Sequence, residues 1–297
     1  MAGRYEISDN GWALIEDIVS PPQSMGRPRR DDRQVLNGIF WILCSGAKWR
    51  DLPERYGPWK TVYDRFRQWR DDGTFEAILA RLQLRLREDG LMDLDTWMID
   101  STSIRATRAA SGGGKKGGNQ EPVDHALGRS RGGLTTKIHM VCDRHGWPLT
   151  FTVSPGQDAD TRHFIPTMER VRLPSPMGRP RKRCQHIVAD KGYDSDDLRR
   201  YCDRHRMKPI FAKRKMHRKP RPGAPRGFDK PRYRERNIIE RCFGWVKELR
   251  RVCTRYDKLA SSFKAMVCLA CIDRCLRADF SECARRSLVA KDTDQRR

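Results

Sequence analysis

The chain has 297 residues, enough for a real core and about two domains. Against 38 Asp and Glu it carries 61 Lys and Arg, a formal net charge of +23, which favours a polyanionic partner, nucleic acid first, over an ordinary small-molecule enzyme. No apolar run approaches the roughly 18–20 residues of a spanning helix, and the opening "MAGRYEISDN" has no signal-peptide core, so the expectation is a cytoplasmic protein without a membrane partner, its ten cysteines reduced.

In chain order, "WALIEDIV" (12–19) reads as a short helix stopped by Pro21 and Pro22 and followed by the basic turn "MGRPRR". A polar start then opens an apolar helix, "DDRQVLNGIFWILCSG". After it, "AKWRDLPERYGPWKTVYDRFRQWRDDG" predicts a short helix, a Gly-Pro break and a second helix with Val62, Phe66 and Trp69 inward. The outer side of that helix offers Lys60, Arg65, Arg67 and Arg70, a plausible DNA-reading face in a helix–turn–helix arrangement, although a plain helical bundle has the same spacing. Another amphipathic helix, "TFEAILARLQLRLRE", closes a helical region over about residues 1–90.

The character then changes. "DTWMIDSTSI" reads as a strand, "SGGGKKGGNQ" as a loop, and "LTTKIHMVCD" and "PLTFTVSPG" as two strands around the turn "RHGW". "TRHFIPTMERV" reads as a helix with Asp160 as its N-cap, followed by strand "QHIVAD", helix "SDDLRRYCDRHR", strand "KPIFAK" and a basic loop from Lys213 to about Lys230. A meander followed by alternating helices and strands predicts a mixed α/β sheet covered by helices. "YDKLASSFKAMVCLACIDRCLR" adds a last helix; its Cys268, Cys271 and Cys275 fit core packing better than a zinc site, which needs a fourth ligand. The tail after 279 loses periodicity and is expected to be mobile.

From Tyr233 to Cys253 the pattern predicts one long helix. Its broad apolar face includes Ile238, Ile239, Cys242, Phe243 and Val246, and a narrow stripe aligns Tyr233, Arg236 and Lys247 within about 40° of Glu240. Alone, that stripe is an ordinary solvated face with an Arg236–Glu240 pair. Two further carboxylates change its meaning, because Asp100 in "WMID" and Asp190 in "IVAD" each end an apolar strand, where a rigid sheet edge presents them. Taken singly, each is equally well a turn residue or a cap.

The stretches "GIFWILCSGAKWRDLPERYGPWKTVYDRFRQW", "IDST", "GRSRGGLTTKIH" and "VADKGYDS", with Tyr233, Arg236, Glu240 and Lys247 in a Y-x2-R-x3-E-x6-K pattern, resemble the bacterial insertion-sequence transposases of the IS5 type and the related IS4 group. The resemblance covers nearly the whole chain through Arg277. It implies an RNase H-like catalytic domain over 91–278 behind a DNA-binding region over 1–90, with Asp100, Asp190 and Glu240 as an Asp-Asp-Glu triad. It further implies two Mg2+ ions per site, with Mn2+ as a substitute, DNA as partner in the form of terminal inverted repeats and target, a homodimer on that DNA, and a nucleoid-associated protein. DNA contacts are expected from Lys60, Arg65, Arg67, Arg129, Arg131, Lys213, Arg214, Lys215, Tyr233, Arg236 and Lys247, and from Lys115 and Lys116. Two other readings stay open: a DNA-binding derivative without catalysis, and a nuclease without strand transfer. The cysteines of "CLACIDRC" depart from the aliphatic helix expected there.

Overall fold

Capping and periodicity build the N-terminal helices of the computed structural model, which describes residues 5–20, 29–112, 125–213 and 227–278. The expected first helix is two: α1 (Asp9–Ala13), whose first turn is bonded by the Ser8 side chain, and α2 (Glu16–Val19). Asp31 caps α3 (Asp32–Ser45), and Gly46, at φ 70°, ends it in the left-handed conformation glycine tolerates best. Two 3-10 turns take the place of the expected short helix before α4 (Trp59–Asp71) and α5 (Thr74–Glu88). Val62, Phe66 and Trp69 do face inward on α4.

Seven strands follow among the described residues: β1 (Thr96–Ala106), β2 (Gly128–Ser130), β3 (Gly133–Asp143), β4 (Pro148–Pro155), β5 (His186–Ala189), β6 (Lys208–Phe211) and β7 (Thr254–Arg255). The helices between and after them are α6 (Asp160–Glu169), α7 (Asp196–Arg204), α8 (Lys230–Arg234), α9 (Asn237–Glu248), α10 (Arg250–Cys253) and α11 (Ala260–Leu276). β1 lies at the centre, antiparallel to β3 and parallel to β5, which is in turn parallel to β6. The outer edge of β3 is shared by β4 and the short β2. This mixed sheet flanked by helices is the RNase H-like architecture that the resemblance implied. β2 and β7 were not expected, since strands of three and two residues leave no readable alternation.

The single long helix expected over 233–253 is three pieces, α8, α9 and α10. Leu249, with ψ 107°, leaves the helical region, and Glu235 and Arg236 separate α8 from α9. Trp97, Met98 and Ile99 are wholly buried, as a central strand covered on both faces requires. α5 and α11 pack together against the sheet. The Gln83 side chain donates to the Pro148 and Leu149 carbonyls of β4, so the helical region and the sheet share one core. Arg255 is fully buried; it donates to the His125, Ala126, Asp257 and Lys258 carbonyls and to Thr136 Oγ1, and it stacks over Phe263. Cys268, Cys271 and Cys275 are buried in α11, and the nine described cysteines are free thiols. Among the described residues no helix is long and apolar enough to cross a membrane.

Candidate active site

Strand register brings the two aspartates together. β1 and β5 pair in parallel with Met98 opposite Val188, so Asp100 and Asp190, each two residues further on, leave neighbouring strands at the same level and on the same face. Adjacent strands lie about 4.8 Å apart, which makes the two carboxylates neighbours. Asp190 is steadied by the backbone N–H of Gly192, donated to its Oδ1. Asp100 Oδ1 accepts the N–H of Ser101 at 2.8 Å.

The third carboxylate arrives on α9. Asp100 faces Met140 across the β1–β3 ladder, and the Sγ of Cys242 donates to Met140 Sδ at 3.6 Å, so α9 lies on the Asp100 face of the sheet. Ile239, Cys242, Phe243 and Val246 bury the inner side of the helix, leaving Glu240 at its rim with a side chain 55% exposed. Both ends of the helix are tied to the β3–β4 turn. Arg144 pairs with Glu235 at 2.5 Å, and the guanidinium of Arg274 stacks on both Trp245 and Trp147, 3.7 and 4.4 Å from their ring centres.

Arg236 stands between the carboxylates. Its Nη1 donates to Asp100 Oδ2 at 3.2 Å and its Nη2 to Glu240 Oε1 at 2.5 Å. No three His, Cys, Asp or Glu side chains among the described residues converge tightly enough to hold one ion. The guanidinium of Arg236 lies between Asp100 and Glu240 and bonds to both. Asp100 and Asp190 fit a hard divalent cation through their oxygen-only donors. Burial is the main cause pushing Asp100 up to about 6, and the charges of Asp190 and Asp160 push the same way against the pull of the Ser101 N–H and Arg236. The buried Tyr193 phenol is raised too, by burial first and then by Asp100 and Asp160.

On the other face of β1 lies a group the sequence reading missed. Asp160 Oδ1 accepts from Ser101 Oγ at 2.7 Å and from Lys137 Nζ at 2.8 Å. Asp160 is the first residue of α6 and not its cap, which is Ala159. His139 is stacked on His163 with ring centres 4.4 Å apart, and burial lowers His139 to about 4. The readable signal was the alternation in "TTKIHM", which sets Lys137 and His139 on the face opposite Asp100.

The expected DNA contacts divide. Lys60 and Arg67 are exposed on α4, Arg129 and Arg131 on the β2–β3 hairpin, and Lys213 at the end of the described chain after β6. Arg65 turns inward to Asp32 at 2.6 Å and stacks on Trp69, giving that buried carboxylate a counter-ion. Tyr233 is half-buried against Phe228, and Lys247 is half-buried two turns beyond Glu240. Arg214, Lys215, Lys115 and Lys116 fall outside the described residues.

Comparison with known proteins identifies the family. The family model "Putative transposase of IS4/5 family" matches residues 7–79, and "Transposase DDE domain" matches residues 93–272. The "Insertion element IS402 uncharacterized 16.2 kDa protein" of Burkholderia cepacia is 34% identical over 124 residues, 39% of this chain and 82% of that one. The "Putative transposase for insertion sequence element IS6501" of Brucella ovis is 30% identical over 138 residues, 46% of this chain and 95% of that one. A solved piggyBac transposase synaptic complex with hairpin DNA covers 96% of this chain and 75% of its own at 12% identity and a TM-score of 0.44. The chain belongs to the transposase DDE domain family, and it is a metal-dependent DNA transposase.

Proposed function

We propose that this transposase binds the terminal inverted repeats of its insertion sequence, hydrolyses strands at the element ends to expose 3′-OH groups, and joins those ends to target DNA. Asp100, Asp190 and Glu240 are its triad and would hold the two Mg2+ ions through their carboxylate oxygens. The observation that carries this reading is the shared level of Asp100 and Asp190 on adjacent strands, with Arg236 linking Asp100 to Glu240. Bound there, the cations supply an activated oxygen nucleophile and a stabilised leaving oxygen.

The chain's own groups do the rest. The sheet holds two carboxylates rigidly, and α9 carries the third on an exposed rim where a DNA strand can reach it. Arg236, released from Asp100 and Glu240, and Lys247 on the same helix meet phosphate oxygens, while Tyr233 packs against the flanking backbone. Arg129 and Arg131 on the β2–β3 hairpin and Lys213 add phosphate contacts. Residues 1–90 serve as the end-reading region, through Lys60 and Arg67 on α4, and 91–278 as the catalytic domain. Because two ends must be held together for joining, the working form is a homodimer on DNA.

The test is to incubate the purified protein with Mg2+ and a plasmid carrying the element, then to sequence new junctions. Joined ends are the expected product. Cleavage with no junctions would replace this reading with a nuclease, and neither product would favour a DNA-binding derivative.

A further inference from the structure

The carboxylate of Asp160 is unexplained by helix capping or by the triad. It sits at the start of α6, yet its Oδ1 is committed to Ser101 and Lys137, both on the sheet. Ser101 and Lys137 share a face of the sheet: Ser101 is opposite His139 and Ser103 opposite Lys137 in the β1–β3 ladder. That face is the reverse of the one Asp100 occupies, because Ser101 directly follows it along the strand.

The loop leading into α6 is also fastened elsewhere. Lys137 Nζ donates to the Asp158 carbonyl at 2.7 Å, and Gly156 N–H donates to the Thr135 carbonyl at 3.2 Å. The Gln157 amide lies where a side chain on Gly128 would stand, so the hairpin bearing Arg129 and Arg131 closes directly on this loop. One short segment therefore links the basic hairpin, α6 and the strand of Asp100. The Asp160 side chain, 37% exposed, still faces water.

We propose that Asp160 is a fourth acidic member of the active site, a positioning residue that anchors β1 from behind through Ser101 and deepens the negative potential in which Asp100 receives a divalent cation. This rests on the reading of Asp100 as a metal ligand. Asp160 need not touch the cation. A unit charge a few ångströms further away, at an effective dielectric of several tens, changes the affinity for a doubly charged ion by roughly threefold to tenfold. Lys137 opposes that field, so removing Lys137 and removing Asp160 have opposite signs. A purely structural staple would give both variants the same sign.

The test is Mn2+ titration of the full-length protein without DNA, followed by electron paramagnetic resonance of the free ion, with Asp100→Asn, Asp160→Asn and Lys137→Met beside the wild type. Melting temperatures are recorded for each. Asp160→Asn keeps an oxygen acceptor for Ser101 and is expected to bind Mn2+ roughly threefold to tenfold more weakly, while Lys137→Met binds it more tightly by a similar factor. Equal affinity in Asp160→Asn and wild type, or weaker binding in both network variants, overturns the proposal. If Asp100→Asn leaves Mn2+ binding unchanged, the triad reading itself falls and takes this one with it. Weakening at Asp100→Asn without change at Asp160→Asn removes the Asp160 proposal alone.

Discussion

Arg236 Nη1 lies 3.2 Å from Asp100 Oδ2, although 136 residues separate the two in the chain. The same guanidinium holds Glu240, so the site carries an internal cation. Replacing Arg236 by Gln leaves Asp100 and Glu240 facing each other uncompensated. In EDTA the variant should lose about 1–2 kcal/mol, a few degrees in melting temperature. Added Mg2+ should then stabilise Arg236→Gln more than it stabilises the wild type, and a smaller gain in the variant would show that the guanidinium does not stand in the cation's place.

Three glutamates lie on or beside α9, and only one borders the aspartates. Glu240→Gln keeps size and hydrogen bonding but removes the charge a divalent ion needs, so end cleavage should fall by orders of magnitude while repeat binding persists. Glu235 is committed to Arg144 and Glu248 is exposed at the far end of the helix. Their Gln variants should cleave within a few-fold of wild type. Near-normal cleavage by Glu240→Gln in a gel assay would remove it from the triad.

Asp100 also predicts a pH dependence. Its folded value, pushed up to about 6 from an ordinary 3.8, means that the folded state binds the proton more tightly than the unfolded state. The group therefore favours folding at acid pH, and that contribution declines as pH rises between about 4 and 6. By pH 7 the shift of about two units corresponds to a cost on the order of 2–3 kcal/mol. Urea unfolding in EDTA should find Asp100→Asn more stable than wild type at pH 7, with the difference shrinking steadily as pH falls towards 4. Equal stability at pH 7 would mean that the carboxylate is not strained.

On α4 the arginines separate by role. Arg65→Ala strips the partner from buried Asp32, which also accepts from Ser20, and should cost about 2–4 kcal/mol while folded protein keeps its DNA affinity. Reversing the charges of Lys60 and Arg67 should do the opposite, leaving the melting temperature within about a degree and weakening repeat binding more than binding to random DNA. Fluorescence anisotropy with the two duplexes separates the cases. An equal loss on both would reduce these residues to phosphate contacts.

The sequence by itself determined the main elements and singled out three candidate carboxylates. α4, α5, β1, β3 and β4 carry strong local periodicity, and the residues Asp100, Asp190 and Glu240 sit in motif patterns that need no fold to be recognised. What only the tertiary structure decided is how side chains are spent. Arg65 looks like a DNA contact in projection, yet Asp32, 33 positions away, claims it; Asp160 looks like a cap, yet Ser101, 59 positions away, claims it. The break at Leu249 and the short β7 that pairs with β1 were equally unreadable. Periodicity reports which face of an element is apolar over a turn or two. A charged group's partner is set by burial cost across distant segments, and that cost exists only once the chain has closed around the β1–β5 register.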